Sequence, residues 1–276
     1  MRKIIADSSA NLLSLSGAAF RSIPMVIHAG ERDFLDNTQL DTGDMMDYLS
    51  TFKGRSGTAC PGPDGWMNAF AGADEVFVVT ITSGLSGTYG SAMAAKDLYE
   101  QVHPKVRIHV FDSLSTGPEM QLLIEKLASL LDTDLSFEEI RDAGEAYLRS
   151  TRMFFSLQSL HNLAQNGRVN KLVAGAIGIL NIRILATASP EGTIAPVEKC
   201  RGEKKAQSAM VAKMLEAGYQ GGKVRIHHAE NPETAQAIKA ALLEKFPAAD
   251  IEVGTCRGLC SYYAERGGVL TAFETA

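Results

Sequence analysis

Glu75-Val76-Phe77-Val78-Val79-Thr80-Ile81-Thr82-Ser83-Gly84-Leu85-Ser86-Gly87-Thr88-Tyr89 decides the fold class. Its first seven residues form a continuous β-prone run, as expected for a strand covered on both faces. A Gly/Ser turn follows, and then a helix from about Tyr89 to Tyr99. The same order recurs on both sides. Upstream, Lys3-Ile4-Ile5-Ala6 reads as a strand ending in Asp7-Ser8-Ser9, and Ile23 to His28 as a second apolar run. Asp41 or Thr42 caps a helix with Met45, Met46 and Leu49 on its apolar side. After the turn-rich Gly57 to Gly62, Pro63 and Asp64 open a helix through Trp66 and Phe70. Downstream, Val106 to Phe111 makes a further strand, closed by Asp112-Ser113. Strand and helix in alternation imply a mainly parallel α/β sheet with right-handed crossovers.

The pattern changes after about residue 130. Ser136-Phe137-Glu138-Glu139 is a capping box opening a helix to Arg149. Met153 to Leu157 reads as a strand, and Leu160 to Gln165 as a short helix stopped by Asn166-Gly167. Strand-like pieces at Ile182 to Ala186 and Ile194 to Val197 flank the turn Ser189-Pro190-Glu191-Gly192. Helices at Glu203 to Ala217 and Pro232 to Phe246 surround Val224 to His228, and Asp250 to Val253 follows. This half is α+β. The expected division is an N-terminal α/β domain over 1–150 and a smaller α+β domain over 151–276.

Composition narrows the function classes. Of 276 residues, 45% are hydrophobic and 21% charged, which is ordinary globular make-up. The formal charge of -5, with no long run of Lys and Arg, argues against nucleic acid as a partner. No stretch approaches the ~20 apolar residues of a spanning helix. The apolar run at the N-terminus stops at Asp7, short of a signal peptide. Cys60, Cys200, Cys256 and Cys260 are not spaced as a disulfide framework, so a cytoplasmic location is expected. Cys256 and Cys260 lack two further ligands for a closed zinc site and read as inert thiols, with no metal and no cofactor expected.

Three polar turns share one position, the carboxyl end of a strand: Asp7-Ser8-Ser9, Thr82 to Thr88, and Asp112-Ser113. Ligands of open α/β sheets bind in the crevice there. The middle turn leads into a helix whose first N–H groups favour an anion, with Gly84 and Gly87 permitting close approach and Ser83, Ser86 and Thr88 offering hydroxyls. The same residues also suit a plain serine cap. Gly84-Leu85-Ser86-Gly87-Thr88 comes close to a G-x-S-x-G nucleophile elbow, so a serine esterase using Ser86 is an alternative. Its final glycine is missing, and none of the downstream histidines sits in a recognisable motif. Nucleotide-binding glycine patterns are missing from the sequence.

Read together, these turns resemble the DegV family of bacterial fatty-acid-binding proteins. Ile4-Ile5-Ala6-Asp7-Ser8-Ser9 resembles its opening strand and Asp-Ser signature, and Thr58-Ala59-Cys60-Pro61-Gly62 its Thr-Ser-x-Pro-Ser turn. Ile81 to Ala92 is similar to the family's most specific segment. Asp112-Ser113, Asn166-Gly167-Arg168-Val169 and Gly254-Thr255 follow in the family's order, so the resemblance runs from residue 3 to about 270. It implies a ligand tunnel between the two domains, holding one long-chain fatty acid. The ligand-binding residues carried over are Thr58 and Ser86, with Ser83 and Gly87 beside them, and Arg168 near the carboxylate. In the C-terminal loop Cys256 stands at the family's His, and Arg257 either turns inward to the carboxylate in its place or points to solvent. It also implies no catalysis by this chain. A separate ATP-dependent fatty acid kinase subunit would phosphorylate the bound carboxylate for phospholipid synthesis, with brief contact at a membrane surface. Each buried methylene returns ~0.8 kcal/mol, so the chain supplies the affinity and the hydroxyls fix the head group. Leu122 to Leu131 and Leu172 to Leu180 are candidate tunnel walls, although most of their residues are expected to be plain core. The chain departs from the pattern at Cys256, where the family has His, at Leu259-Cys260 for Pro-Gly, and at Arg183-Ile184 for Lys-Pro. A carrier of another small amphipathic acid is the remaining alternative.

Overall fold

Along β6 (Glu75–Thr80) successive side chains go to opposite faces, and both faces are covered. Val76 and Val78 pack with Trp66, Phe70, Ala92 and Ala95, whereas Phe77 and Val79 pack with Met120, Leu123, Leu127 and Ile140. That is why the run shows no alternation in sequence. The computed structural model describes residues 1–169 and 181–276. In it, β6 belongs to a four-stranded parallel sheet in the order β2-β1-β6-β7, with β1 at Arg2–Asp7, β2 at Phe20–Ile23 and β7 at Arg107–Asp112. Helices α2 (Pro63–Phe70) and α3 (Thr88–Val102) cover one face, and α4 (Pro118–Leu131) and α5 (Phe137–Arg149) the other. From β1 the chain goes to β2 on one side and later to β6 on the other. The strand order therefore reverses between β1 and β6, and a crevice opens at their carboxyl ends.

A three-stranded antiparallel sheet, β4-β3-β5, corrects the reading of the first half as strand–helix repeats alone. The apolar run Ile23 to His28 is two strands. Ile23 pairs with Asp7 in the parallel sheet, whereas β3 (Val26–Ala29) pairs with β4 (Arg32–Leu35) and β5 (Ser56–Ala59). Pro24 separates them because it has no N–H to give a ladder. The first half of the stretch read as turn, Gly57 to Ala59, belongs to β5, which β3 draws into extended pairing. Helix α1 (Thr42–Thr51) lies between β4 and β5, and the Asp41 carboxylate caps it by accepting the Asp44 N–H at 3.0 Å.

The rest of the chain builds a six-stranded sheet in the order β10-β9-β8-β13-β11-β12. Its strands are β8 (Thr151–Leu157), β9 (Ile182–Ala188), β10 (Ile194–Arg201), β11 (Val224–His228), β12 (Ile251–Thr255) and β13 (Val269–Glu274). All neighbours are antiparallel except β11 and β12. The helices after α5 are α6 (His161–Gln165), α7 (Glu203–Glu216), α8 (Pro232–Lys245) and α9 (Gly258–Ala264). Both α7 and α8 pack on one face of this sheet. On the other face, Met153, Phe155, Ile184 and Leu270 meet Leu122, Leu163, Cys256 and Cys260.

Helix α4 belongs to both cores. Leu123, Ile124 and Leu127 face the parallel sheet, Leu122 faces the six-stranded one, and buried Gln121 meets His227 Nε2 at 2.7 Å. Most of Leu122 to Leu131 is core, as expected, with Leu122, Leu123, Ile124, Leu127 and Leu131 buried. The stretch does not line the cavity described below, which corrects its candidacy as a tunnel wall. The other expected wall, Leu172 to Leu180, lies outside the described residues. Among the described residues no helix is long and apolar enough to cross a membrane.

Candidate ligand-binding site

The three strand-end turns are stitched into one floor. The Ile81 N–H donates to Asp7 Oδ2 at 2.8 Å, and the Thr82 N–H donates to the Ser115 carbonyl at 2.9 Å. The Asp112 carboxylate accepts from the N–H groups of Ser83 (3.0 Å) and Leu114 (3.2 Å). Thr82, itself buried, uses both roles of its hydroxyl: it accepts the Gly84 N–H at 3.0 Å and donates to the Gly192 carbonyl at 2.9 Å. Through that bond the tip of the β9–β10 hairpin docks onto the β6–α3 loop. The contact demands glycine on both sides. A Cβ at Gly84 would lie 2.5 Å from the Glu191 carbonyl, and one at Gly192 would overlap the Thr82 hydroxyl.

Above this floor lies a cavity of about 820 Å³ with its mouth included. Met25, Ile81, Leu85, Met153, Phe155, Leu157, Leu163, Ile194, Leu259 and Leu270 give it apolar walls. Among the described residues, the polar side chains that line it are those of Thr58, Thr82, Ser86, Ser115, Thr116, Arg168, Thr193 and Tyr263. An elongated apolar ligand with one polar end suits such a lining. The lining comes from the parallel-sheet loops, β5, β8, the β9–β10 hairpin, β13 and α9, so no single stretch of sequence contains it.

Of the residues expected in the site, Thr58, Ser86 and Arg168 converge on this cavity. Thr58 sits on β5 opposite Ile27, and its Oγ1 is 2.8 Å from Tyr263 Oη. Ser86 Oγ lies 2.8 Å from Thr88 Oγ1 and accepts the Thr88 N–H at 3.4 Å. The Arg168 guanidinium donates to the Leu85 carbonyl at 3.0 Å and to that of Asn166. Ser83 is exposed and Gly87 caps α3; neither lines the cavity.

The C-terminal pair is placed elsewhere. Cys256 is buried, its thiol pushed well up by burial, and it packs in the core beside the six-stranded sheet. Arg257 donates its backbone N–H to Asn11 Oδ1 at 2.8 Å, and its guanidinium donates to the Asn37 carbonyl at 2.6 Å. It points neither into the cavity nor freely into solvent. Cys260 does reach the lining, with its thiol pushed up to about 12 by burial. Among the described residues no group of three or more His, Cys, Asp or Glu could hold a metal ion.

Sequence reasoning missed Tyr263, because α9 was not read as a helix, and it missed the hairpin docking, although the hairpin turn itself was legible. The esterase alternative would need a base at Ser86. His109 pairs with Glu145 at 2.9 Å, His227 with Gln121 and Asn11, and His28 with Asp33, and among the described residues no histidine bonds Ser86.

The sequence signature described as "Uncharacterised protein, DegV family" matches residues 1–274. The chain belongs to the DegV family. A DegV domain-containing protein of Streptococcus gordonii is 43% identical over 99% of this chain and 98% of its own length. Two solved DegV-like structures superpose over 100% of both chains. One is a DegV family protein from Eubacterium eligens loaded with heptadecanoic acid, with TM-score 0.97 and 47% identity. The other is the Streptococcus pneumoniae Fatty Acid Kinase (Fak) B3 protein loaded with linoleic acid, with TM-score 0.98 and 41% identity. The mixed architecture described above is thus the DegV fold, and the cavity of this DegV protein opens at the carboxyl ends of its parallel strands.

Proposed function

We propose that this protein carries one long-chain fatty acid. In this reading the acyl chain lies in the cavity between the units 1–150 and 151–276. The hydroxyls of Thr58 and Ser86 hold the carboxylate, and Arg168 adds positive charge near it. The chain performs no chemistry of its own and presents the carboxylate to a separate ATP-dependent fatty acid kinase subunit in the cytoplasm, touching a membrane surface only briefly. The observation that carries the reading is the lining: among the described residues, apolar walls with hydroxyl side chains and the Arg168 guanidinium, at the end of a parallel sheet. The full-length likeness to proteins loaded with heptadecanoic and linoleic acids supports the ligand class, and the kinase name of the pneumococcal relative supports the partner. Ser83, Gly87, Cys256 and Arg257 stand outside the lining, which favours a head-group site smaller than the resemblance implies.

Native mass spectrometry of freshly purified protein, followed by denaturing extraction, tests the reading. An acyl species near one per chain is expected. A fatty acid at 100 times its dissociation constant should stabilise the fold by ~2.7 kcal/mol in a melting assay. Extraction of no acyl species, together with an unchanged melting temperature on adding fatty acids, would refute it. Extraction of a different amphipathic acid would transfer the site to that ligand.

A further inference from the structure

Strand β5 and helix α9 meet through two hydroxyl pairs. Ser56 Oγ lies 2.8 Å from Tyr262 Oη, and Thr58 Oγ1 lies 2.8 Å from Tyr263 Oη. Ser56 and Thr58 are two apart on one strand and so project to the same side. The surroundings of the two pairs differ. Tyr262 is fully buried and its hydroxyl also accepts from Asn166 Nδ2 at 2.9 Å, while Ser56 reaches Gln165 Oε1 at 3.4 Å. That pair is fastened on every side. Thr58 and Tyr263 instead line the cavity, and among the described residues each hydroxyl has only the other as its hydrogen-bond partner. Two hydroxyls carry two protons, and the bond between them uses one. The second proton is left for whatever occupies the cavity.

Building on the fatty-acid reading, we infer that Tyr263 is a positioning residue for the head group. Its phenolic O–H donates to Thr58 Oγ1, so that the Thr58 O–H is turned to the ligand's carboxylate. A phenol is a more acidic donor than an aliphatic hydroxyl, which sets the direction of the inner bond. An anion accepting from Thr58 polarises that hydroxyl and strengthens the bond behind it, so the two bonds reinforce each other. The reverse direction would make Tyr263 the direct donor and leave Thr58 only an anchor for it.

Isothermal titration with one saturated fatty acid and the alcohol of equal length separates these arrangements. Tyr263→Phe keeps the ring and should weaken the acid about 5- to 30-fold. The alcohol should change by less than about two-fold. Thr58→Val should weaken the acid similarly, and Thr58→Val combined with Tyr263→Phe should be no weaker than Thr58→Val alone. Tyr262→Phe is the control on the same helix: it should lower the melting temperature yet leave acid affinity in place. Unchanged acid affinity in Tyr263→Phe would overturn the inference. So would equal losses for acid and alcohol, losses that multiply in the double variant, or an affinity loss in Tyr262→Phe matching that of Tyr263→Phe. If the unaltered protein binds neither ligand, the fatty-acid reading itself fails. Binding by the unaltered protein with any of the other results sinks the Tyr263 role alone.

Discussion

Asp7 ends β1 with no exposed surface, and its carboxylate accepts the N–H groups of Ser9 and Ile81 and the Ser9 hydroxyl. Those bonds favour the charged form, but burial outweighs them and lifts the carboxyl from 3.8 to about 6. Between those values the folded chain holds a proton that the unfolded chain has released. The stability tied to Asp7 therefore falls as pH rises from about 4 to about 6. His227 acts in the opposite sense. Burial lowers it from 6.5 to about 3, so between those values only the unfolded chain is protonated, and stability falls as pH falls. Its ring is held neutral between Gln121 at 2.7 Å and Asn11 at 2.8 Å. Asp7→Asn removes the term that opposes His227. On going from about pH 7 to about pH 4.5, this variant should lose ~2 kcal/mol more stability than the unaltered protein, read by urea unfolding at the two pH values. Parallel pH profiles for the two proteins would count against this account of Asp7.

Helix α9 depends on a carboxylate from far away in the chain. Buried Asp36 accepts the N–H groups of Gly258 and Leu259, each at 2.9 Å. These are first-turn donors with no partner inside the helix. Asp36→Ala should cost about 3 kcal/mol in unfolding free energy, because two buried N–H groups lose their acceptor. The loss should extend to fatty-acid titrations, since Leu259, Cys260 and Tyr263 of this helix line the cavity. A stability loss with acyl affinity intact would mean that the cavity wall does not depend on this cap. Elsewhere in the cavity wall, the β9–β10 hairpin rests on Gly192, whose φ of 71° already disfavours a side chain and whose position has no room for one. Gly192→Ala should destabilise by about 2 kcal/mol and lift the hairpin from the Thr82 hydroxyl. Faster proteolysis between β9 and β10 would report the lifting directly, and an unchanged digestion rate would count against it.

At the scale of the whole molecule, α4 joins the parallel and six-stranded sheets. Its Glu125 takes a bidentate pair of bonds from the buried Arg225 guanidinium, at 2.9 and 2.7 Å, and Asp250 accepts from the same group at 3.1 Å. A guanidinium so enclosed tolerates poorly the loss of its main partner. Glu125→Ala is expected to cost about 3 kcal/mol, whereas Glu125→Met combined with Arg225→Met should recover most of it. Urea titrations of the three proteins check both statements, and a double variant as weak as Glu125→Ala would contradict the second. Because α4 contributes to the core on both sides, the two sheets should unfold in one transition by far- and near-ultraviolet signals alike.

Three strands of the parallel sheet, β1, β6 and β7, and the Ser136-capped helix were legible because their causes are local, whereas β2 at Phe20–Ile23 was not. β6 is apolar on both faces, and the Ser136–Glu139 box supplies its own donors and acceptors, with the Ser136 N–H donating to Glu139 at 2.7 Å. The Ser86 turn was legible as a strand-end anion site, whereas Thr58 and Arg168 were legible only through their family resemblance, since nothing local announces that segments so far apart share one cavity. Tertiary structure alone decided the rest. β5 is a strand because β3 lies beside it, and β13, which was not read, is central because β8 and β11 pair with both its edges. Arg257 could have turned to the ligand or to water, and the backbone carbonyl of Asn37 settled it. Tyr263 faces the cavity because Asp36, more than 200 residues earlier, holds the start of its helix. A cap such as the Ser136–Glu139 box is set by neighbours a few residues away, whereas the cap of α9 and the direction of a long side chain are set by whichever distant group satisfies their polar atoms.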